Sequence, residues 1–355
     1  MKKTIIKAAA ALLIFAVIFF PLQSVLAGDK DNRDHQRIAG FYARPQDTLD
    51  AVFIGSSATY AFWIAPFAWH EYGITVYPYS TRSQTIQAAR FIVEDAAKTQ
   101  PNAVFIVNLA STHIENTHAW LHTLFDNMPA SATKYKMIDY ICDQDGYDLS
   151  ERMEYYFPII RLHDRWYQVR AYDFNRTPDR YMSGNCYQMF LSAVEDATGG
   201  YYDPEYLSEL PEALSQSVTD LIEYCQAEEL KLMFVITPQV ITDMEQLGRQ
   251  NALIDLVGSF GYEVFNLRDH VEEMAIDPTT DYLDTMHTNI HGAIKVTDYM
   301  SQHLVEKYGL EDKRGQEAYS DWDIAFSGYY HDIIKPYLSP IDMSYISPVT
   351  DAEAE

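Results

Sequence analysis

The residues best suited to chemistry in this sequence are a serine in a Gly-Ser-Ser turn and a distant Asp-x-x-His. Ser57 follows an apolar run that ends at Gly55, and a glycine there permits a sharp turn from a strand into a helix. Asp284 precedes His287 by three residues. That spacing lets the carboxylate bind Nδ1 and leaves Nε2 to take a proton from a serine. Together, Ser57, Asp284 and His287 predict a serine-hydrolase triad.

Each half of this pattern also has a simpler explanation. Ser56 or Ser57 alone could be the N-cap of a helix, a position that serine favours. Asp284 or Asn289 alone could cap the last helix, with His287 a hydrogen-bonded loop histidine. With 11 His and 51 acidic residues, chance Asp-x-x-His matches are expected. The combination is the stronger signal, because the serine follows the first predicted strand and the histidine precedes the last predicted helix.

Five short apolar runs predict the strands that must position these residues. The runs are LDAVFIG (49–55), ITVYPY (74–79), NAVFIVNL (102–109), LKLMFVIT (230–237) and YEVFNL (262–267). Their continuous hydrophobicity is typical of parallel strands covered on both faces. Helix-period segments lie between or after them, which predicts an α/β fold with helices on both sides of a parallel sheet. Ligands bind such sheets at the carboxyl ends of the strands, where Ser57 lies.

The helices are predicted from their apolar stripes. One stripe consists of Leu214, Val218, Leu221, Ile222 and Cys225, and another of Ile290, Ala293, Ile294, Thr297, Met300 and Leu304. The segment Thr242-Asp243-Met244-Glu245 has the pattern of a capping box that opens a further helix.

Residues 112–210 interrupt the alternation of strands and helices. This stretch is rich in Tyr, His, Arg and Asp, and its segment EYYFPIIRLHDRWYQV is too aromatic for a solvated linker. We therefore expect an insertion that packs over the edge of the sheet as a cap. It would belong to a single domain over residues 29–338, which begins with a polar linker (GDKDNRDHQR). The Pro- and Asp-rich residues 339–355 are expected to form a flexible tail.

The first 28 residues have the pattern of an export signal. Lys2, Lys3 and Lys7 precede an uncharged, largely apolar run that ends at Gly28. Val25-Leu26-Ala27 resembles a cleavage site, so the segment could be a signal peptide. The run is also just long enough to remain as a membrane anchor, since about 20 residues are needed to span a bilayer. Both alternatives place the rest of the chain outside the cytoplasm, membrane-anchored or secreted.

Composition restricts the partners and the chemistry. The net charge of −25 repels phosphate backbones, so nucleic acid is not expected as a partner, and contact with a membrane is expected only through the N-terminal segment. Cys142, Cys186 and Cys225 have no metal-binding spacing and allow at most one disulfide. Neither a metal nor another cofactor is expected.

The order and location of the two motifs resemble those of the SGNH/GDSL hydrolase superfamily. The chain is similar to its GSS variant, found in exported envelope proteins of the alginate-acetylation and teichoic-acid D-alanylation type. The likeness extends over roughly residues 40–310, in the blocks GFYARPQDTLDAVFIGSSATY, GITVYPYSTRSQTI, YYFPIIRLHDRW, ITPQV and DYLDTMHTNIHGAIKVTDYM. The resemblance implies a flavodoxin-like three-layer SGNH fold of about five parallel strands.

The resemblance also assigns roles to the triad residues. Ser57 matches the nucleophile, with Ser56 where Asp usually stands. His287 matches the general base and Asp284 the group that orients it.

The segments after the second and third strands depart from the family pattern. Residues 79–84 (YSTRSQ) lack its glycine, and residues 108–113 (NLASTH) lack its GxND motif. By position Ser80 is the expected oxyanion donor after the second strand, and Asn108 is considered after the third. Arg82 could act as a substitute donor or be a plain surface residue. A site lacking two donors would be a slow enzyme or a binding protein.

A second cluster in the insertion, His163-Asp164-Arg165-Trp166, has the composition of a sugar or carboxylate site. The alternative is a cap core with Trp166 buried and Arg165 paired to an acid.

The function implied is an extracytoplasmic serine esterase or O-acyltransferase of the acetyl ester class. Its substrate would be an acylated carbohydrate or a cell-wall polymer, and a membrane-bound acyl-donor protein is an implied partner. The alternative is a non-catalytic SGNH-fold envelope protein that binds a glycan or a protein. An anion-binding module at Gly55-Ser56-Ser57 would leave the Asp-x-x-His unexplained.

Overall fold

The computed structural model describes residues 2–27, 33–112, 116–174, 181, 203–337 and 343–347. Its centre is a five-stranded parallel sheet in the order β2-β1-β3-β4-β5. The strands are β1 (Ala51–Gly55), β2 (Val76–Ser80), β3 (Val104–Asn108), β4 (Lys231–Ile236) and β5 (Val264–Asn266). Four lie within the apolar runs and β2 extends one residue beyond its run, to Ser80, so the predicted α/β class with about five parallel strands is confirmed.

Helices precede, connect and follow these strands. In the first half of the chain they are α1 (Lys2–Leu26), α2 (Arg33–Tyr42), α3 (Ser57–Tyr60), α4 (Ala65–Tyr72) and α5 (Ala89–Ala96). Next come α6 (His118–Phe125), α7 (Ala132–Asp145), α8 (Leu149–Tyr156), α9 (Ile159–Leu162), α10 (Glu212–Ala227) and α11 (Met244–Ser259). A small antiparallel hairpin, β6 (Tyr282–Asp284) and β7 (His287–Thr288), leads into α12 (Ile290–Tyr308) and α13 (Ser320–Tyr329).

The helices form two packed groups. Helix α4 contacts both α12 and α13, and α5 contacts α7 and α10. The strand order reverses direction at β1, so right-handed crossovers place the two groups on opposite faces of the sheet. The predicted stripes of α10 and α12 are both buried, as expected for helices that cover a sheet.

The reversal of strand order also brings three strand ends together. Gly55 pairs in register with Ser80, and Ile54 pairs with Val107, so Asn108 ends β3 beside the end of β1. The gap beside a reversed strand is the usual ligand position in open α/β sheets. Ser57 follows the end of β1 by two residues and therefore lies at this edge of the sheet.

Two local predictions were wrong. The polar linker is in part helix α2, whose Ile38 and Phe41 are fully buried in the core because they share one helical face. The predicted capping box at Thr242 is absent, because Asp243 is the residue that caps α11, accepting a hydrogen bond from the Glu245 N–H.

The described parts of the insertion and tail are ordered against the domain. In the predicted insertion 112–210, all the described regular elements before α10 are helical, and α7 packs on α5 rather than over an open sheet edge. In the predicted flexible tail, Ser347 hydrogen-bonds Glu71 of α4 and Ile346 is buried. Among the cysteines, Cys142 and Cys225 are free and buried, while Cys186 lies outside the described residues.

Candidate active site

Ser57 is the first residue of the short helix α3 and is held there by its two predecessors. Gly55 is required because a Cβ at this position would lie 2.3 Å from Thr59 Oγ1. Ser56 is the N-cap, and its Oγ accepts a hydrogen bond from the Ala58 N–H at 3.3 Å. The capping role therefore belongs to Ser56, and the Ser57 hydroxyl is directed elsewhere.

The Ser57 hydroxyl meets the imidazole of His287. Ser57 Oγ lies 2.8 Å from Nε2, and Nδ1 lies 2.9 Å from both carboxylate oxygens of Asp284. An ionised carboxylate only accepts hydrogen bonds, so Nδ1 carries the proton and Nε2 accepts from the serine hydroxyl. The three predicted residues therefore form one continuous hydrogen-bonded chain with the polarity that a serine nucleophile requires.

Asp284 is stabilised in its ionised form. Partial burial by itself would raise its pKa, but hydrogen bonds from His287 and from the backbone N–H groups of Met286 and His287 outweigh burial. The pKa of Asp284 is therefore held below its usual value. Asp284 is therefore ionised and can accept the hydrogen bond that orients the imidazole.

The β6–β7 hairpin that carries Asp284 and His287 is tied to the rest of the domain. Thr288 is fully buried, and its hydroxyl donates a hydrogen bond to the Ala61 carbonyl just after α3. The loop after β4 also binds the turn, because the Val240 N–H donates to the Thr285 carbonyl at 2.9 Å. Asn289 caps α12, so Asp284 is not needed for capping. The hairpin that carries the imidazole is therefore held on one side by the residue after α3 and on the other by the loop after β4.

Ser57 and His287 open into a cleft with a volume of about 410 Å³. Its wall also contains side chains from α3, from the loop after β2 and from α6; these are Tyr60, Arg82, Ser83, Ala119, Trp120 and Thr123. The volume falls within the usual range for small-molecule sites. The insertion thus contributes one wall of the cleft through α6.

Arg82 lies on the rim of this cleft. Its Nε donates to Asp34 Oδ2 at 3.0 Å, and its side chain remains 59% exposed. Asp34 is buried in α2 and also accepts from Arg37 NH1 at 2.9 Å. The Arg37 guanidinium in turn stacks over the Tyr60 ring, 3.8 Å from its centroid. Helix α2 therefore supports two side chains of the cleft wall.

Ser80 and Asn108 do not have the roles expected for them. Ser80 is completely buried at the end of β2 and does not line the cleft. The Asn108 amide nitrogen donates to the Ala58 carbonyl, Thr59 Oγ1 and Thr237 Oγ1, at 3.0–3.3 Å. Three acceptors already share its two N–H bonds, so Asn108 holds α3 in place rather than presenting a donor to the cleft.

Sequence reasoning missed Ser83 of the cleft wall, together with Tyr60, Ala119, Trp120 and Thr123. The φ of Ser83 is 49°, in the left-handed region that normally favours glycine. The glycine that the resemblance expects after the second strand is absent, yet this loop still contains one residue with a glycine-like backbone. The absence of the expected glycine from this loop is the sequence signal that could have identified Ser83.

The His163-Arg165-Trp166 cluster lies elsewhere. Arg165 forms an ion pair with buried Asp173 at 2.6 Å, His163 is exposed beside Asp164, and Trp166 is 73% exposed. None of the three lines the cleft. The expected sugar subsite at these residues is therefore absent from the cleft, and the alternative of a buried Trp166 is also wrong.

Comparison of the chain with models of protein families, with curated proteins and with solved structures finds no match in any of the three. Within the described residues, no cluster of three or more His, Cys, Asp or Glu could hold a metal ion.

Proposed function

We propose that this chain is an extracytoplasmic serine esterase or O-acyltransferase that acts on acylated carbohydrate. The observation that carries the proposal is the hydrogen-bonded series from Ser57 Oγ through His287 to Asp284, with distances of 2.8 and 2.9 Å. A base must lie within about 2.6–3.2 Å of the proton that it abstracts, and both steps of this series meet that requirement.

In the first half-reaction, Ser57 Oγ attacks the ester carbonyl while His287 Nε2 takes its proton. The imidazolium that forms is stabilised by the Asp284 carboxylate. Collapse of the tetrahedral intermediate breaks the bond to the alcohol, which leaves with the proton from Nε2. In the second half-reaction, water or a sugar hydroxyl attacks the acyl-serine while His287 Nε2 takes the proton of the attacking group. The acyl–Oγ bond then breaks, Ser57 Oγ regains a proton from Nε2, and the acyl group remains on the acceptor.

The oxyanion would be stabilised by groups other than Asn108. The Ser57 N–H is the first of α3 and has no partner within its helix. The N–H of Ser83 and the guanidinium of Arg82 belong to residues that line the same cleft. One such donor supplies about 3 kcal/mol of transition-state stabilisation, so the identity of these groups determines whether turnover is fast or slow.

The shape and surface of the cleft favour an acylated sugar as the substrate. The cleft is open and contains the exposed Trp120 ring, whose apolar faces and polar edge suit carbohydrate. Arg82 on the rim would bind a sugar hydroxyl or a carboxylate. The α1 helix, with its basic start, supports export of the domain.

The test uses the full chain in detergent with a fluorophosphonate probe and a chromogenic acetate ester. We expect labelling and ester cleavage in the natural protein and in Ser259→Ala, a control at an exposed serine that ends α11 outside the cleft. Both signals should be lost in Ser57→Ala and in His287→Ala. If folded natural protein neither reacts with the probe nor cleaves the ester, or if Ser57→Ala still does both, the proposal is wrong.

One observation favours a second candidate, a glycan-binding envelope protein without turnover. Asn108 and Ser80 were the two expected oxyanion donors. The Asn108 amide instead donates to α3, and Ser80 is buried away from the cleft. Binding of acetylated oligosaccharides by Ser57→Ala and by the natural protein with equal affinity, with no product formed by either, would support this candidate.

A further inference from the structure

Helix α1 has a projecting part and a docked part. Its apolar 18-residue window has a mean hydropathy of 2.5 and no buried residues. Towards the end of the helix, Gln23, Leu26 and Ala27 are less than 9% exposed. The Phe19 ring packs edge-on against Phe157, and the Gln23 amide donates to the Tyr156 carbonyl. The end of α1 is therefore part of the folded domain.

Arg165 fastens the end of α1 to the domain. Its NH1 donates to the carbonyls of Val25 and Leu26 at 3.4 and 3.2 Å, which have no partners within the helix. Its NH2 binds Asp173, a fully buried carboxylate that also accepts from the Arg170 N–H. Cleavage after Ala27 would leave this guanidinium without the carbonyls that it binds.

The segments that contact α1 expose large apolar side chains. They are α9 and the two short 3₁₀ turns His163–Gln168 and Ala171–Phe174. The exposed side chains, here called the apolar rim, are Ile160 (45% exposed), Trp166 (73%), Tyr167 (61%) and Phe174 (68%). Phe174 and Phe20 of α1 line the same groove, which has a volume of about 460 Å³. The rim therefore surrounds the point where α1 leaves the domain.

The dimensions of α1 place that point at the surface of a bilayer. The uncharged part of α1 from Ala8 to Leu22 would extend about 22 Å at 1.5 Å per residue. The long Lys7 side chain can reach from there to the headgroups, so the helix crosses most of a hydrocarbon core of ~30 Å. Trp and Tyr concentrate at the boundary between that core and water. Lys2, Lys3 and Lys7 at the other end favour the cytoplasmic side, since positive residues flank membrane spans there.

We infer that α1 is retained as a membrane span and that the apolar rim docks the domain onto the outer lipid surface. The occupant of the rim is the headgroup region of the bilayer. With a net charge of −25, attraction to anionic lipid does not drive docking, which depends on the apolar side chains. Helix α6 joins the two regions, because Trp120 lines the cleft while Asp126, which follows α6, lines the groove at α1. The cleft is thereby held close to the membrane, whether or not Ser57 is a nucleophile.

Tryptophan fluorescence in lipid nanodiscs tests the docking. The full chain is placed in phosphatidylcholine discs whose acyl chains are brominated near the headgroup. Of the five Trp, Trp63, Trp69 and Trp322 are at most 1% exposed, and Trp120 is 37% exposed. We expect bromine quenching that is lost in Trp166→Phe and retained in Trp120→Phe. Equal quenching of these two variants would overturn the inference.

A rim variant separates docking from a simple anchor. Tyr167→Ser combined with Phe174→Ser should reduce the quenching of Trp166 at least twofold, because the remaining rim holds the domain less firmly. Ile324→Ser is the matched control: this residue is 70% exposed on α13, outside the rim, and its loss should change nothing. Unchanged quenching in the double variant would show that the rim does not dock.

Retention of α1 is tested by the intact mass of the protein extracted from membranes. We expect the mass of the chain with α1 present. A product that begins after Ala27 would overturn retention. Neither measurement depends on ester cleavage, so failure of this inference and failure of the proposed enzyme are distinguishable.

Discussion

Asp34 Oδ2 lies 3.0 Å from Arg82 Nε and connects helix α2 to the rim of the candidate active site. The same carboxylate accepts a hydrogen bond from the Arg82 backbone N–H and pairs with Arg37. Both Asp34 and Arg37 have side chains only 4% exposed. One buried acid therefore neutralises a buried arginine and orients the loop that follows β2.

Asp34→Asn should be strongly destabilising. Removing one partner of a buried ion pair costs roughly 3 kcal/mol, because the remaining charge is left in a poorly solvated site. Urea unfolding measures the loss. The matched control is Asp312→Asn, because Asp312 pairs with Arg314 at the surface and a surface pair contributes less than about 1 kcal/mol. Equal effects of the two substitutions would contradict the role assigned to Asp34.

Gly55→Ala should disrupt the turn that presents Ser57. The added methyl group would lie 2.3 Å from Thr59 Oγ1 and 3.0 Å from Asn108 Cβ, so α3 must shift. Overpacking of this kind costs about 1–3 kcal/mol, and we expect labelling of Ser57 by the fluorophosphonate to fall at least tenfold. Gly258→Ala is the control, since its Cβ meets nothing within 4 Å. Probe labelling at the natural rate in a folded Gly55→Ala protein would contradict this account of the turn.

The strands and the triad were predictable because their signals are local. Each strand is a continuous apolar run, and Asp284 and His287 are three residues apart on one hairpin, so their contact needs no distant element. The carboxyl-end rule for parallel sheets then brought Ser57 to the same edge. The geometry of the three side chains agrees with that expectation.

The residues that support the site could not be predicted from such local signals. Helix α2 has a polar sequence, and its Asp34 and Arg37 are buried because they pair with each other and with Arg82 and the Ser80 carbonyl. Asn108 was expected to face a substrate, but its three hydrogen-bond acceptors come together only in the folded chain. Arg165 likewise finds its partners at the end of a helix far away in sequence. Such networks are properties of the tertiary structure.

Lys134 should make stability depend on pH in the alkaline range. Burial lowers the pKa of this ammonium to about 8, with a smaller opposing effect of Asp126, whereas the unfolded chain keeps a pKa near 10.4. Between these values the unfolded state binds more protons, so stability rises as pH increases. From pH 8 to 10 the natural protein should gain about 2 kcal/mol relative to Lys134→Met, at 1.36 kcal/mol per pKa unit.

Unfolding of the two proteins in urea at pH 7, 8, 9 and 10 measures this difference. Taking the difference removes the contributions of tyrosines, which also titrate near pH 10 and are present in both proteins. A difference that is constant over the whole range would show that the pKa of Lys134 is the same in the folded and unfolded states.

Ser83→Gly should relieve strain in the cleft wall. A non-glycine residue with a φ of 49° costs about 1 kcal/mol, which glycine avoids, although glycine loses more entropy on folding. We therefore expect a small gain in stability, of less than about 1 kcal/mol, with probe labelling preserved because the backbone N–H remains. Ser83→Val should lower both stability and labelling, since a β-branched side chain fits this conformation poorly. Greater stability of Ser83→Val than of Ser83→Gly would exclude a strained backbone.

Asn108→Ala distinguishes a structural amide from an oxyanion donor. Loss of an oxyanion donor lowers kcat by about 10² to 10³ without affecting the fold. Loss of an amide that binds Ala58, Thr59 and Thr237 instead leaves buried groups unpaired, at about 1–3 kcal/mol for each unsatisfied group. We expect the second pattern, with lower stability in urea and a loss of ester cleavage that parallels it. Thr237→Val removes one of the same hydrogen bonds without approaching the cleft, so it should reproduce part of the stability loss. A hundredfold fall in kcat with unchanged unfolding would assign Asn108 to the oxyanion after all, and α3 would then have to move on substrate binding to release its side chain.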